Sequence, residues 1–580
     1  MKKYFKYIKP YWIFFVLSPL LMIIEVYCDI QIPLLAARII NEGILLNDSQ
    51  QVFALTGLIA VHIVFAVCGG VGASYCATRA SVYFANDVRR DLFQKIQQFS
   101  FANIDDFTTG SLITRLTNDI TQLQQLVVYC LRMMFRSPGM LIGSIIMAFQ
   151  INVKLAFIFI IIVPLLSGVI ILTIAFSYKK FDALQEKVDG LNTKVQETLI
   201  NIRVIKALTR ETYENDRFQS VNEELEKAGI SAYLITILQM PLMTFFINMA
   251  SIALLWFGCV LVQSDTLLIG DLSALVTYLA QILISVNMIA MMFLQCSRAL
   301  VSAKRVSEVL DTDIDIIDYE NDLSSQTVMN GKICFENVSF KYYKNNSEDV
   351  LENVSFTIEA GQTIGIIGST GCGKTSLVNL IPRLYDVDSG AVYIDDINVK
   401  DYSLKNLRDG VAVILQSNRL FTGSIAENLR WGDKEASMEQ LQQVASWASA
   451  TDFIDNSQFG YDTFIEQGGV NLSGGQKQRL CIARAMLKNP KIFIFDDSTS
   501  AVDTATEAVI NHHLNNELKN STKLIIAQRV SSIVHADNII VMNDGKIEAI
   551  GKHDDLINTC LTYQEIFHSQ VGSEEVVSNG

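Results

Sequence analysis

Eight consecutive residues match the G-x4-G-K-[ST] pattern of loops that bind nucleotide phosphates. They are Gly368, Ser369, Thr370, Gly371, Cys372, Gly373, Lys374 and Thr375, and Ser376 extends the set. The apolar run 363–367 predicts a strand before the loop, and residues 376–384 predict a helix after it. Glycines let backbone N–H groups surround phosphate oxygens, and the helix N-terminus adds a positive dipole end. We expect Lys374 to neutralise phosphates and Thr375 to ligate Mg²⁺.

A second candidate site residue is Asp496, which ends the apolar run 491–496. A carboxylate at the end of a buried strand is a common Mg²⁺ ligand, either directly or through water. Apolar runs that end in aspartate are frequent, so this signal alone is weak. Together with the phosphate-binding loop, it predicts a site for a nucleotide and Mg²⁺.

The overall composition limits the class of protein that carries these residues. The 580-residue chain is 50% hydrophobic and only 18% charged, and its mean hydropathy is +0.29. This excludes a disordered chain and predicts membrane spans. The net charge of -14 argues against a nucleic-acid partner, because phosphate backbones recruit lysine and arginine. The ten cysteines include no CxxC pair, which argues against a disulfide framework or a zinc site.

Six apolar stretches in the first 310 residues are long enough to cross a bilayer. They are residues 11–33, 52–75, 130–151, 155–178, 234–262 and 272–296. The segments 76–125 and 179–233 carry five and nine Lys and Arg residues, so the positive-inside rule places both in the cytoplasm, with the N-terminus. Apolar residues recur at helical spacing in the second segment, which predicts long helical extensions of the spans.

Two carboxylates, Glu25 and Asp29, lie one helical turn apart in the first predicted span. Charges within a bilayer are costly and should face the interior of the helix bundle. One interpretation is a path for a cationic or polar substrate, and the other is a structural ion pair with Arg132 or Arg136. Gly69 and Gly70 in the second span predict close helix packing.

Between the phosphate-binding loop and Asp496 lies a pentapeptide that resembles the signature of ABC transporters. It consists of Leu472, Ser473, Gly474, Gly475 and Gln476. Further matches are Tyr342 to the adenine-stacking aromatic residue, Gln416 to the Q-loop residue at Mg²⁺, and Asp503 to the D-loop. The resemblance covers essentially the whole chain and its motif order is very specific.

This resemblance implies a half-transporter of the ABC exporter class. Its fold would be an α-helical membrane domain (1–310) with six transmembrane helices and long cytoplasmic extensions. A linker (311–330) would join it to an α/β P-loop ATPase domain (331–580). The chain would be a transport ATPase that uses ATP and Mg²⁺, with Thr375, Gln416 and Asp496 at the metal. Family members dimerise head to tail, so Leu472–Gln476 would contact ATP held by a partner chain. Residues 102–109 and 209–217 match the coupling helices.

Two positions depart from the family pattern. Asp497 stands where the family has the glutamate that orients the attacking water, and Gln528 stands at the switch histidine. Aspartate is one methylene shorter, and glutamine lacks the imidazole that fixes water and carboxylate. The resemblance therefore implies a degenerate site that binds ATP but hydrolyses it poorly.

A degenerate site together with an intact signature predicts a heterodimer with a second half-transporter that has the usual glutamate and histidine. The pair would export small hydrophobic or drug-like substrates across the inner or plasma membrane. Two other interpretations remain open. One is a homodimeric lipid flippase or drug exporter, and the other is a regulatory membrane subunit that senses ATP.

Overall fold

The computed structural model describes residues 2–318, 325–342, 348–496 and 504–578. The chain divides into two compact units. Residues 1–97 and 109–312 form the first, which we call the helical unit. Residues 98–108 and 313–580 form the second, the α/β unit. Two predicted site residues, Asp497 and Asp503, lie outside the described residues.

The first 312 residues are almost entirely helical. The helices are α1 (Phe5–Ile8), α2 (Trp12–Arg38), α3 (Ser49–Gln97), α4 (Phe101–Asp106), α5 (Thr109–Thr114), α6 (Ile120–Ile151), α7 (Val153–Ile200), α8 (Ile202–Ala207), α9 (Glu211–Ile237), α10 (Gln239–Gln263) and α11 (Ile269–Asp311). Short π-helical segments, Ile39–Ile44 and Arg115–Asp119, continue α2 and precede α6. Of these helices, α4 belongs to the α/β unit.

Six helical segments in the described residues are long and apolar enough to cross a membrane. Each contains one of the predicted spans, so the expected six-helix membrane domain is confirmed. The segments are Phe5–Ile44, Ser49–Gln97, Thr109–Ile151, Val153–Ile200, Glu211–Gln263 and Ile269–Asp311. The 49 residues of α3 rise about 74 Å, more than twice the roughly 30 Å of hydrocarbon. The expected helical extensions are therefore present.

Close packing of α2 on α3 depends on small residues. A Cβ on Gly69 would lie 2.9 Å from the backbone oxygen of Leu21, and one on Gly70 would lie 2.8 Å from Oε2 of Glu25. The glycine pair thus lets the helices approach and accommodates the Glu25 carboxylate, which confirms the packing interpretation.

The carboxylates of α2 pair with Arg136 of α6. The guanidinium contacts Oε1 of Glu25 through Nη1 and lies 3.4 Å from Oδ2 of Asp29 through Nη2. Glu25 is only 7% exposed. These contacts bear out the structural ion pair and identify Arg136 as the partner.

The α/β unit contains twelve strands in its described residues. They are β1 (Ile333–Phe340), β2 (Leu351–Ile358), β3 (Thr363–Gly368), β4 (Ser389–Ile394), β5 (Ile397–Asn398), β6 (Val411–Ile414), β7 (Gly423–Ser424), β8 (Phe464–Ile465), β9 (Ile492–Asp496), β10 (Thr522–Ile526), β11 (Asn538–Asn543) and β12 (Lys546–Gly551). The remaining helices are α12 (Lys374–Asn379), α13 (Leu404–Gly410), α14 (Ile425–Leu429), α15 (Met438–Trp447), α16 (Thr451–Asp455), α17 (Gly474–Leu487), α18 (Thr504–Glu517), α19 (His553–Thr559) and α20 (Leu561–Ser578).

The central sheet has six strands in the order β12-β11-β3-β10-β9-β6. All neighbouring strands in it are parallel except β12, which runs antiparallel to β11. Every residue of β9 is buried, as expected for a strand covered on both faces. A four-stranded antiparallel sheet (β2-β1-β4-β5) and the β7-β8 pair complete the unit.

One local prediction is wrong. The helix expected over 376–384 begins at Lys374 and ends at Asn379, and a turn follows. Pro382 explains the early end, because proline lacks an N–H and disfavours the helical conformation of the residue before it.

Candidate functional site

The predicted site residues come together at one edge of the central sheet. The strands β3, β10, β9 and β6 are parallel neighbours, so their carboxyl ends meet there. The phosphate-binding loop follows β3, Asp496 ends β9, and Gln416 and Gln528 follow β6 and β10 by two residues. Ligands of open α/β sheets bind at this edge.

These residues line a single cavity of about 670 Å³. Its lining comprises Tyr342, Val350, Gly368, Ser369, Thr370, Gly371, Gly373, Lys374, Thr375, Ser376, Gln416, Asp496, Ile526 and Gln528. Cys372 is the one predicted loop residue that does not line it; its side chain is buried in the hydrophobic core. Val350 and Ile526 are apolar lining residues that no motif marks.

The backbone of the loop is shaped for an anion. Gly371 and Gly373 have φ values of +87° and +93°, the left-handed region that side chains disfavour. Such turns direct successive N–H groups into one concavity. Nζ of Lys374 donates to the carbonyl oxygens of Gly368 (2.9 Å) and Ser369 (2.8 Å). The lysine ammonium group is therefore held over the loop.

The side chains of Thr375 and Asp496 fit a magnesium site. Oγ1 of Thr375 donates to Oδ1 of Asp496 over 2.8 Å. A hydroxyl and a carboxylate oxygen at this spacing are hard oxygen donors of the kind Mg²⁺ takes in nucleotide sites. Gln416 lines the same cavity and would add an amide oxygen. The residues present thus fit the predicted metal, with Thr375 and Asp496 positioned to hold it.

Tyr342 stands at the rim of the cavity and is 37% exposed. Its hydroxyl is 2.7 Å from Oγ of Ser376, and burial raises its pKa. Its ring packs edge-on against Phe340 and Tyr385, with centroid separations of 5.0 and 5.1 Å. A partly exposed aromatic ring at the rim of the cavity suits stacking on a base.

Tyr385, which the sequence interpretation missed, also connects the site to α4. Its hydroxyl donates to Oδ2 of Asp105 over 2.9 Å. Asn103 in the same helix donates to the backbone oxygen of Asp313. These contacts explain why residues 98–108 belong to the α/β unit. They connect α4 to the rim of the cavity through Tyr385 and Tyr342.

The signature residues lie apart from the cavity, at the N-terminus of α17. Ser473 caps this helix: its hydroxyl accepts from the N–H of Gln476 (3.3 Å), and Oε1 of Gln476 accepts from the N–H of Ser473 (2.9 Å). Gly474 and Gly475 form the first turn, and Leu472 packs on a hydrophobic cluster. This geometry forms a rigid, exposed helix start.

We expect Gly368→Ala to disrupt the loop. A Cβ there would lie 2.1 Å from the carbonyl oxygen of Met542 on the paired strand β11. Overpacking of this kind should lower the free energy of unfolding by about 1–3 kcal/mol, measurable as a lower melting temperature. Gly371→Ala is the control, because its Cβ meets nothing within 4 Å and only the positive φ is strained. Equal melting temperatures for both variants would contradict the role of the β11 contact.

Both regions of the chain match families of known proteins. Residues 15–286 match the family described as ABC transporter transmembrane region, and residues 351–500 match the family described as ABC transporter. The uncharacterized ABC transporter ATP-binding protein YfiB of Bacillus subtilis is 37% identical over 574 residues, which cover 99% of both chains. A protein named ATP-dependent lipid A-core flippase, from Syntrophus aciditrophicus, is 32% identical and covers 84% of this chain and 81% of its own.

A solved structure shows the same fold. The structure of a bacterial Atm1-family ABC exporter with ATP bound superposes with a TM-score of 0.78. The match covers 97% of this chain and 98% of that one, at 23% sequence identity.

Proposed function

Because the chain belongs to the ABC transporter family as a multi-pass half-transporter with one membrane region and one ATPase domain, we propose that it is the ATP-binding subunit of a heterodimeric exporter. In this proposal its own site binds ATP and hydrolyses it poorly. Its signature completes the catalytic site of a partner subunit. The exported substrates are hydrophobic or drug-like, and the N-terminus and ATPase domain are cytoplasmic.

One observation carries the proposal: a complete set of binding residues shares its cavity with a glutamine at the switch position. Lys374, Thr375 and Asp496 are in place for phosphate and metal, whereas Gln528 lines the cavity without an imidazole. A glutamine amide donates to a phosphate oxygen but has no imidazole to fix the attacking water and the carboxylate. Binding is thus retained while a hydrolytic group is replaced.

The binding roles follow from the chemistry of each side chain. Tyr342 would stack on the adenine ring, and the loop from Gly368 to Ser376 would surround the phosphates with N–H groups and the Lys374 ammonium. Thr375, Asp496 and Gln416 would hold Mg²⁺, which supplies charge neutralisation between the phosphates.

The slow hydrolysis rests on Asp497 and Gln528. A base acts within about 2.6–3.2 Å of the proton or water it handles. Shortening glutamate to aspartate withdraws the carboxylate by roughly 1–1.5 Å, and a misplacement of about 1 Å costs on the order of a hundredfold in rate. In the partner's site the usual glutamate and histidine would act, with Ser473 and Gly475 of this chain against its ATP.

We expect the chain purified alone to hydrolyse ATP slowly, and co-expression with a related half-transporter to raise turnover about a hundredfold. Replacing the partner's glutamate should abolish that gain, because the partner's site carries catalysis. Asp497→Glu combined with Gln528→His should raise the activity of this chain alone by a similar factor. Steady-state phosphate release measures all of these.

A stable homodimer with fast ATP turnover would contradict the degenerate site and the heterodimer, and would leave the family assignment intact. The control variant is Lys546→Ala, whose side chain forms an exposed ion pair with Glu352, and neither residue lines the cavity. Its turnover should equal that of the unmodified protein.

The likeness to the protein named lipid A-core flippase favours a second candidate, a homodimeric transporter of lipids. A regulatory ATP sensor is a third, suggested by Asp497 and Gln528 alone. Reconstitution in liposomes separates the three. Drug uptake that requires a partner supports the heterodimer, lipid translocation by the chain alone supports the flippase, and nucleotide binding without transport supports the sensor.

A further inference from the structure

The C-terminal helix α20 packs directly on the segment that carries Gln528. Tyr563, Ile566 and Phe567 of α20 join the hydrophobic cluster that contains Ala527 and Val530. Tyr563 is fully buried, and its hydroxyl lies 2.7 Å from Nδ1 of His553. Burial raises the pKa of Tyr563 to about 12, so its hydroxyl stays protonated under physiological conditions. The helix is thus fixed against the end of β10.

Gln570, also in α20, contacts the backbone on both sides of Arg529. Its Nε2 donates to the carbonyl oxygen of Gln528 over 2.8 Å. Its Oε1 accepts from the N–H of Val530 over 2.9 Å. One side-chain amide therefore bridges the carbonyl of residue 528 and the N–H of residue 530.

Two hydrogen bonds from one planar amide restrict the backbone more than either would alone. They hold the two peptide groups that flank Arg529, between the end of β10 at Ile526 and the short 3-10 helix Val530–Ser532. Gln528, which belongs to this restrained backbone, lines the nucleotide cavity. A positioned group contributes more to binding than a mobile one, because less freedom is lost when the ligand arrives.

We propose that Gln570 is a positioning residue that aims Gln528 at the terminal phosphate of ATP. The inference rests on the proposed role of Gln528 as a hydrogen-bond donor to that phosphate. It extends the nucleotide site to a residue in the last helix, 42 positions further along the chain. The proposal predicts a specific difference between nucleotides. Loss of Gln570 should lower the affinity for ATP, which has the third phosphate, and not the affinity for ADP, which lacks it.

The test compares ATP and ADP affinities of the full-length chain, measured by titration calorimetry with Mg²⁺. Gln570→Met keeps the length of the side chain and removes both hydrogen bonds. ATP affinity should fall about threefold to tenfold, and ADP affinity should stay within about twofold. Gln564→Met is the matched control: the same substitution in α20, at a residue whose side chain makes no described contact with the switch segment. Both of its affinities should be unchanged.

A double-mutant cycle separates positioning from a general structural effect. Gln528→Ala should lower ATP affinity relative to ADP, and adding Gln570→Met to it should cause no further loss. Equal losses of ATP and ADP affinity in Gln570→Met, or additive losses in the double variant, would overturn the positioning role. An unchanged ATP-to-ADP ratio in Gln528→Ala would instead overturn the proposed role of Gln528, and this inference with it. Melting temperatures confirm that each variant is folded.

Discussion

Replacing Lys374 with alanine should weaken ATP binding about a hundredfold. The ammonium group is held over the phosphate-binding loop by the carbonyl oxygens of Gly368 and Ser369, where phosphates would meet it. Hydrogen bonds to charged groups contribute about 1.5–3 kcal/mol each, and about 2.7 kcal/mol corresponds to a hundredfold change in affinity. ADP binding should fall by a similar factor, because the lysine serves more than the terminal phosphate.

Calorimetric titration of ATP and ADP into the full-length variant measures this effect. Lys546→Ala removes an exposed lysine of the same α/β unit and should leave both affinities unchanged. ATP affinity of Lys374→Ala within about threefold of the unmodified chain would show that the cavity at the end of β3 is not the nucleotide site.

Arg136→Met should destabilise the helical unit by about 3–5 kcal/mol. Its guanidinium contacts both carboxylates of α2, and Glu25 is almost fully buried. Removing one partner of a buried ion pair leaves uncompensated charge, which costs far more than the pair itself contributes. Here two carboxylates would remain close together in an apolar helix bundle.

Thermal unfolding in detergent, followed by circular dichroism, measures the loss. The triple variant Arg136→Met, Glu25→Gln and Asp29→Asn removes all three charges and should regain most of the stability, because no buried charge is left unpaired. Arg298→Met is the control, since it removes an arginine of α11 for which the described contacts show no ion pair. An Arg136→Met variant as stable as the unmodified chain would mean that the pairing contributes nothing to folding.

Local sequence patterns predicted the parts of the site that are contiguous in the chain. The phosphate-binding loop needs specific backbone geometry at adjacent residues, so its glycines and lysine appear as one motif. Asp496 was predictable because it ends an apolar strand, and parallel strands place such ends along one edge of the sheet. The six spans were predictable because a bilayer requires a run of apolar residues.

Contacts between distant segments had no such local signal. Gln570 and Tyr385 belong to the site through side chains that cross from one element to another, and each is an ordinary residue within its own helix or loop. Which arginine pairs with the carboxylates of α2, Arg132 or Arg136, depends on the rotation of α6 relative to α2. Both arginines are suitable by their positions in the sequence. The early end of α12 had a local cause in Pro382, yet the apolar residues around it favoured a longer helix.

Residues 98–108 belong to the α/β unit, so an isolated ATPase domain without them would be incomplete. The chain passes between the two units three times, after residues 97, 108 and 312. A fragment that starts after residue 312 would lack α4, so the Tyr385 hydroxyl would lose Asp105 and the ring would lose its neighbour Phe101. Tyr385 packs against Tyr342, so the loss would reach the rim of the nucleotide cavity. Nucleotide affinities of such a fragment would therefore describe a pocket whose rim residue Tyr342 has lost part of its support.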